Sequence, residues 1–408
     1  MAKYPAPLPL FDTLESLKSS STCPDKNFVF GTQDYSLARN FLLIYDGNQQ
    51  TFTAYRREIE RLLQWSWRIA QKSILSLSRQ DIENYIYFCM TPPKSWIGLK
   101  NVSRFIIKDG ARIANPEWKP FVAKITKAQF KKGNTPDKSL YHPSRKSIQE
   151  IFTVLNSFFN HLVLEEKILT NPIALIKQKS KFIQKQQSHS PVRRLSDKQW
   201  ETVISITQQL AIEEPEKYAR TLFMLSAFYL MYLRISELVA SHRWIPKMGD
   251  FYCDSGQKWW FKTVGKGNKE RNIAVSDNML DALKAWRSYL GLSPALPSPG
   301  DEAPLMPKNK GQGAITSAYP IRQSIQHCFD QAVLHLKKQN LIEEAQQLEE
   351  ATIHWLRHTG ISVDLNTHKR PAVHVRDDAG HASIATTDRY NDATLQERYD
   401  SAKNKLLK

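Results

Sequence analysis

The chain has 408 residues, with 57 Lys+Arg against 40 Asp+Glu and a formal net charge of +17. Hydrophobic residues make up 41% and charged residues 24%, a balance that excludes a mostly disordered protein. At roughly 100–200 residues per domain the length predicts two or three domains, each with its own core. The excess charge predicts attraction to a polyanion, with nucleic acid ahead of an anionic membrane surface. Cys23, Cys89, Cys253 and Cys328 are far apart and form no C-x-x-C pair, so neither a disulfide framework nor a cysteine-based zinc site is expected. MAKYPAPLPLF lacks the apolar run of a secretory leader, and no apolar stretch approaches the ~18 residues of a membrane span. The expected setting is cytoplasmic, without a membrane partner.

Residues 1–30 are rich in Pro and Ser and read as an extended arm or small accessory element. Helical patterning follows in YSLARNFLLIYD, TFTAYRREIERLLQWSWRIA and SRQDIENYIYFCM. In the second of these, Tyr55, Ile59, Leu62, Leu63 and Trp67 recur at three-to-four spacing, and Arg57, Glu60, Arg61 and Arg68 occupy the opposite face. Residues 93–145 form a basic insertion broken by Pro, Gly and aromatic residues. Residues 91–190 hold 18 Lys+Arg against 6 Asp+Glu, most of the net charge in about a quarter of the chain. With so few acidic partners, this run reads as a phosphate-facing surface in preference to a solvated loop. Lys131, Lys132 and Lys138 in the insertion, with Arg57 and Arg61, are the candidate contacts. A further helix, with Ile148, Ile151, Leu155, Phe158, Phe159 and Leu162 in register, stops at Asn171-Pro172.

Residues 178–193 have a linker composition. A second domain begins near 194, with Ser196 and Gln199 spaced as a capping box. Helices are expected over 197–212 and 216–241. KWWFKTV and ERNIAV then read as a hairpin around GKGNK, where Lys269 and Arg271 are further candidate DNA contacts. A helix DNMLDALKAWRSYL, a Pro/Gly-rich loop over 291–319, and helical patterns at 320–347, 354–366 and 383–406 complete the chain.

Six polar residues of this second domain stand out: Arg234, Lys266, His354, Arg357, His381 and Tyr390. Singly, each has an ordinary structural explanation. His354 and His358 have the i, i+4 spacing of a zinc-binding helix, but no Glu follows the first His and Arg357 would repel a dication, so no metal is expected. GKG is not a P-loop. Together, two arginines, a lysine and two histidines make a cationic nest sized for one phosphate. Arginine offers bidentate, permanently charged donors. Donors preorganised around a pentacoordinate phosphorus are worth ~3–4 kcal/mol each, by analogy with oxyanion holes. A phenol of pKa ~10 needs help to lose its proton, which the histidines or the lysine can give. A lysine on a turn is suited to protonating the leaving sugar oxygen.

The order LRISEL, GKGNKER, HWLRHTG, GHASIATTDRY resembles the tyrosine recombinase (phage-integrase) family over roughly 195–400, and the first domain resembles that family's helical core-binding domain more loosely. The resemblance implies a mainly α protein with a small β-sheet. A helical, SAM-like core-binding domain over 31–177, carrying the insertion, would join a mixed α/β catalytic domain over 194–390 and a tail helix over 391–408. It implies that Arg234 and Arg357 clamp the scissile phosphate and that Lys266 protonates the leaving 5′ oxygen. His354 and His381 would bind phosphate and assist proton transfer, and Tyr390 would form a 3′-phosphotyrosyl link. Glu237 would be the supporting carboxylate and His358 a structural neighbour. Bond energy kept in the phosphotyrosine implies neither ATP nor a metal. The implied partners are double-stranded DNA, further copies of the chain in a tetramer, and a partner recombinase or DNA-bending protein. Two positions depart from the family: Tyr232 stands where Gly is usual, and Ala379 where Leu is usual. Two rivals are a type IB topoisomerase-like enzyme and a non-cleaving DNA-binding regulator. The tail and the GHASIATTDRY segment argue against the first, and the intact set of six against the second.

Overall fold

The computed structural model describes residues 4, 6–19, 23, 25, 27–131, 133–174, 176, 192–265, 267–391 and 402–403. It is mainly α-helical with three small sheets and divides into two compact units, Met1–Ser188 and His189–Lys408. Among the described residues, no helix is long and apolar enough to cross a membrane.

In the first unit, helices α1 (Leu14–Ser19), α2 (Gly31–Leu43), α3 (Gln49–Trp65) and α4 (Arg79–Met90) precede the basic segment, and α6 (Arg145–Leu164) follows it. Asn48, Ser78 and Ser144 cap α3, α4 and α6 by accepting from backbone N–H groups in the first turn. Phe52, Ile59, Leu62 and Leu63 of α3 pack with Phe41, Leu155, Phe158 and Phe159 in one core. The opposite face of α3 is roofed over. Glu60 is fully buried and accepts from the N–H groups of Leu10 (2.5 Å) and Phe11 (3.1 Å) and from Arg104. The first residues are therefore more than an arm, because Leu10, Phe11, Leu14 and Leu17 belong to the core.

The basic segment is also built in. Strands β1 (Ile97–Gly98) and β4 (Phe121–Val122) pair in parallel. Strands β2 (Phe105–Lys108) and β3 (Ala111–Ala114) form a hairpin closed by Asp109-Gly110, and α5 (Lys127–Lys131) follows. Trp96 and Phe121 are buried in the core, and Arg112 pairs with Asp12.

In the second unit, α7 (Asp197–Glu213) starts with the expected Ser196–Gln199 capping box. Helix α8 (Pro215–Leu230) is central and packs against α7, α10 (Asp277–Tyr289), α11 (Ala318–Lys338) and α13 (Ile353–Asn366). Trp200 stacks on Tyr229, with ring centroids 4.1 Å apart. The single helix expected over 216–241 is broken instead. Tyr232 takes a left-handed φ of 52°, and a short α9 (Ile235–Leu238) starts afresh after Arg234. Strands β6 (Trp259–Val264) and β7 (Glu270–Ala274) form the expected hairpin, and β5 (Phe251–Cys253) adds an edge strand the sequence pattern did not reveal. The pattern at 320–347 is two helices, α11 and α12 (Ile342–Glu349), separated by Asn340 at positive φ. Helix α14 (Ala372–Ala379), which no pattern announced, packs on β7, and α15 (Ile384–Asp388) is far shorter than the 383–406 helix expected. Residues 392–401 and 404–406 of that expectation lie outside the described residues.

Gly360 lets α13 lie close against α8, since a Cβ there would overlap the Tyr229 carbonyl oxygen and press on the Tyr232 ring. Gly360→Ala is expected to destabilise the protein by ~1–3 kcal/mol through overpacking. A lower urea midpoint with an unchanged slope would report this.

Candidate active site

The site is built on a buried carboxylate. Glu237, in the first turn of α9, has no solvent exposure. It accepts from the Arg234 N–H (2.8 Å), from Arg234 Nη1 (3.2 Å), and from Arg271 Nη1 and Nη2 on β7 (2.7 and 2.9 Å). Burial pushes its carboxyl upward, but the bonds from Arg271 and Arg234 prevail and hold it below the usual carboxylate range.

The arginines continue inward to the end of α14. Arg271 Nε donates to the Asp378 carbonyl (2.9 Å), Arg357 Nη2 to that of Ala379 (2.6 Å) and Arg234 Nη2 to that of Gly380 (3.2 Å). Three guanidinium groups thus bind three successive carbonyls just before His381. Gly380, at φ 63°, permits this turn, and a Cβ there would crowd the Arg271 side chain at 3.0–3.2 Å. Arg357 is buried and also donates to the Tyr232 carbonyl. Burial and the Arg234 charge push its guanidinium down to about 9, so it stays charged at neutral pH.

Helical spacing puts His354, Arg357 and His358 on one face of α13. A row of rings follows from this. His354 stacks on His358 (5.4 Å, 16°), His358 meets Tyr390 edge-on (5.4 Å, 70°), and Tyr390 stacks with His381 (5.8 Å, 14°). His358 Nδ1 lies 3.0 Å from the Arg193 carbonyl. A carbonyl only accepts, so Nδ1 carries the proton and Nε2 keeps the lone pair. His381 Nδ1 bonds Thr387 Oγ1 (2.9 Å). Asn366 Nδ2 donates to the Tyr390 carbonyl (2.8 Å).

All three imidazoles are held below their ordinary pKa by desolvation first; the Arg357 and Arg234 charges add to this at His354 and His381, while at His358 the bond to the Arg193 carbonyl opposes it and the charges of His354 and Arg357 reinforce it. His381 falls to about 4. The imidazoles are therefore neutral proton acceptors at pH 7. Burial raises the Tyr390 phenol, and the charges of Arg357, Arg389 and Arg234 oppose that rise.

Of the expected site residues, Arg234, His354, Arg357, His381 and Tyr390 come together, with Glu237 and His358 among them. Lys266 lies outside the described residues; its neighbour Gly265 sits against Arg271 and Glu237, where a Cβ would meet Arg271 Nη1 at 2.8 Å. Arg271, expected to touch DNA, instead directs its guanidinium onto Glu237 and Asp378, because a buried carboxylate demands a partner. Arg61 is likewise turned inward, donating to the Pro120 carbonyl (2.8 Å) and to Glu58, with its guanidinium 4.6 Å from the Phe121 ring centre. Lys269 is exposed in the hairpin turn. Arg57 is exposed but pairs with Glu58 (2.5 Å), and Lys138 is half-buried. Lys131 ends α5, and Lys132 lies outside the described residues. Sequence reading missed the part played by Arg271 and Asp378. The only available signal was the position of Arg271 one residue beyond Glu270 in an alternating strand.

The sequence pattern of the phage integrase family matches residues 193–397. The chain belongs to the phage integrase family. It is 26% identical to tyrosine recombinase XerC of Xanthomonas campestris pv. campestris (strain B100) over 290 residues, 69% of this chain and 75% of that protein. It is 26% identical to a tyrosine recombinase of Thermosipho africanus over 309 residues, 74% of this chain and 90% of that one. Its fold is similar to that of XerH site-specific recombinase bound to palindromic difH substrate, with a TM-score of 0.56 at 16% identity, covering 96% of this chain and 93% of the other. The Tn1549 transposon integrase in complex with a circular intermediate DNA aligns with a TM-score of 0.50 at 16% identity, over 90% and 97% of the two chains.

The depressed histidines set an acid dependence. Unfolded histidines take up protons near their ordinary 6.5, whereas folded His381 resists until about 4. Stability of this phage-integrase unit therefore falls as the pH drops from 6.5 towards 4. His381→Asn is expected to flatten that decline in urea melts taken across the window.

Proposed function

We propose that this chain is a site-specific DNA recombinase that cuts and rejoins DNA through a 3′-phosphotyrosyl intermediate at Tyr390. The observation that carries the proposal is the placement of the Tyr390 ring between two neutral histidines, beside two arginines that share the 379–380 backbone. That the named relatives are tyrosine recombinases supports it. The Tyr390 oxygen attacks the scissile phosphorus, an O–P bond forms, and the bond to the 5′ oxygen breaks. The phenolic proton passes to a neighbouring imidazole. Arg234 and Arg357 neutralise the charge that builds on the non-bridging oxygens, with His354 and His381 beside them. Lys266 returns a proton to the leaving 5′ oxygen. Attack by a 5′ hydroxyl from another strand reverses the step, so the phosphodiester energy is kept within the covalent link. Glu237 and His358 hold the arginines and the tyrosine in place.

The same reading assigns 31–177 to DNA gripping, 194–390 to catalysis and 391–408 to contact with a neighbouring copy. Four copies would act on two DNA sites in the cell interior, alongside a second recombinase or a DNA-bending protein. Within the first unit, a cleft of about 990 Å³ runs between α3, the basic segment and the start of α6, lined by Arg57, Lys119 and Lys124 among others. A cleft this basic suits a phosphate backbone.

Incubation with a nicked suicide substrate is expected to trap a covalent protein–DNA adduct, and Tyr390→Phe to abolish it; an adduct persisting in that variant would remove Tyr390 as nucleophile. Changing Lys124 and Lys138 to Gln is expected to weaken DNA binding and to lower the slope of log K against log salt by up to ~0.9 per lost contact. Binding titrations at several salt concentrations would measure it.

A further inference from the structure

Tyr232 occupies a backbone conformation that disfavours its own side chain. At φ 52° it sits in the left-handed region, at a cost of ~1–2 kcal/mol for a residue with a Cβ. A glycine would take this turn freely. What the tyrosine adds is a phenol, and the structure gives that phenol a dense set of partners. Its hydroxyl donates to Asp364 and accepts from Arg370 Nη1 at 2.9 Å. Arg370 Nη1 also reaches Asp364 Oδ2 (2.7 Å), and its Nη2 reaches Asp378 Oδ2 (2.7 Å). Asp378 Oδ1 in turn accepts from the Ala274 N–H of β7 (3.3 Å). The ring is buried in a small apolar cluster with Ile361, Leu365, Val375, Ala379 and Tyr390, separate from the main core of the unit. Burial and the Asp364 carboxylate keep the phenol protonated, so it remains a donor.

This network joins the parts that hold Arg357. Asp364 shares α13 with Arg357. Asp378 immediately precedes Ala379, whose carbonyl receives Arg357 Nη2. The carbonyl of Tyr232 itself receives Arg357 Nη1. The left-handed turn therefore decides where one of the two anchors of that guanidinium points, and the phenol is the clamp that keeps the turn.

We propose that Tyr232 is a positioning residue for Arg357: its phenol, locked by Asp364 and Arg370, fixes the turn whose carbonyl aims the guanidinium at the scissile phosphate. This rests on the reading of Arg357 as a phosphate ligand. Small displacements of a preorganised group cost up to ~100-fold in rate, and loss of a single hydroxyl bond in this network should cost about tenfold.

The test uses the full chain and the nicked suicide substrate, measuring adduct formation at saturating DNA, DNA affinity and thermal melting. Tyr232→Phe and Asp364→Asn should each slow cleavage about tenfold with little change in affinity or melting. The double variant should be no slower than the worse single one, because both act on one network. A substrate with a methylphosphonate at the scissile position carries no charge for Arg357 to neutralise, so on it the deficit should shrink to about twofold or less. Wild-type cleavage by Tyr232→Phe, a deficit undiminished on the methylphosphonate, or one that follows a fall in melting temperature would overturn the proposal. A wild-type chain that forms no adduct would instead overturn the recombinase reading itself.

Discussion

A carboxylate without solvent exposure is the constraint from which the second unit is arranged. Leaving the Glu237 charge unpaired in the interior would cost several kcal/mol, and two arginines from different elements meet it. The consequences spread outward. Arg234 is held at the start of α9 with its Nη2 directed at the 380 carbonyl. Arg271 is drawn away from the surface, which locks β7 against α14. Gly265 must lack a side chain because Arg271 and Glu237 fill the space above it. Gly265, at the end of β6, is thus set directly against this ion cluster.

Such a cluster concentrates positive charge, and the histidines respond by staying neutral. Desolvation and the Arg357 charge depress the imidazoles, and burial with the Arg234 charge depresses Arg357. An arriving phosphate would relieve that repulsion, so the site is complementary to an anion before one is present. The first unit uses the same device for a different purpose. Buried Glu60 gathers two backbone N–H groups of the initial segment and the guanidinium of Arg104. There it ties an irregular segment and a basic hairpin to α3.

Where neighbours in sequence meet, the residues alone were informative. The Ser196–Gln199 cap, the hairpin around GKGNK and the three-residue step from Arg234 to Glu237 are local, and their geometry follows from helix and strand periods. The row His354, Arg357, His358 is one helix face for the same reason. Legibility failed where distant segments impose the conformation. The stretch 216–241 reads as continuous helix, yet Tyr232 turns left-handed, its phenol bonded to Asp364 more than a hundred residues later. Helix α14 is only eight residues long with little apolar patterning, and it exists by packing on β7. Lysines and arginines counted as one basic surface were sorted by packing into inward-bonded ones, such as Arg61, and exposed ones, such as Lys124.

The sequence by itself determined the family, the mainly helical class and which side chains could carry phosphate chemistry, because those follow from residue type, order and local spacing. Only the tertiary structure decided which cations are committed internally, that His358 as well as His381 lies against Tyr390, and that Tyr232 belongs to the same cluster. The physical reason is that a guanidinium or imidazole takes its role from the partner it meets. Those partners, the 379 and 380 carbonyls and the carboxylates of Glu237 and Asp364, reach it only when α9, α13, α14 and β7 are packed together.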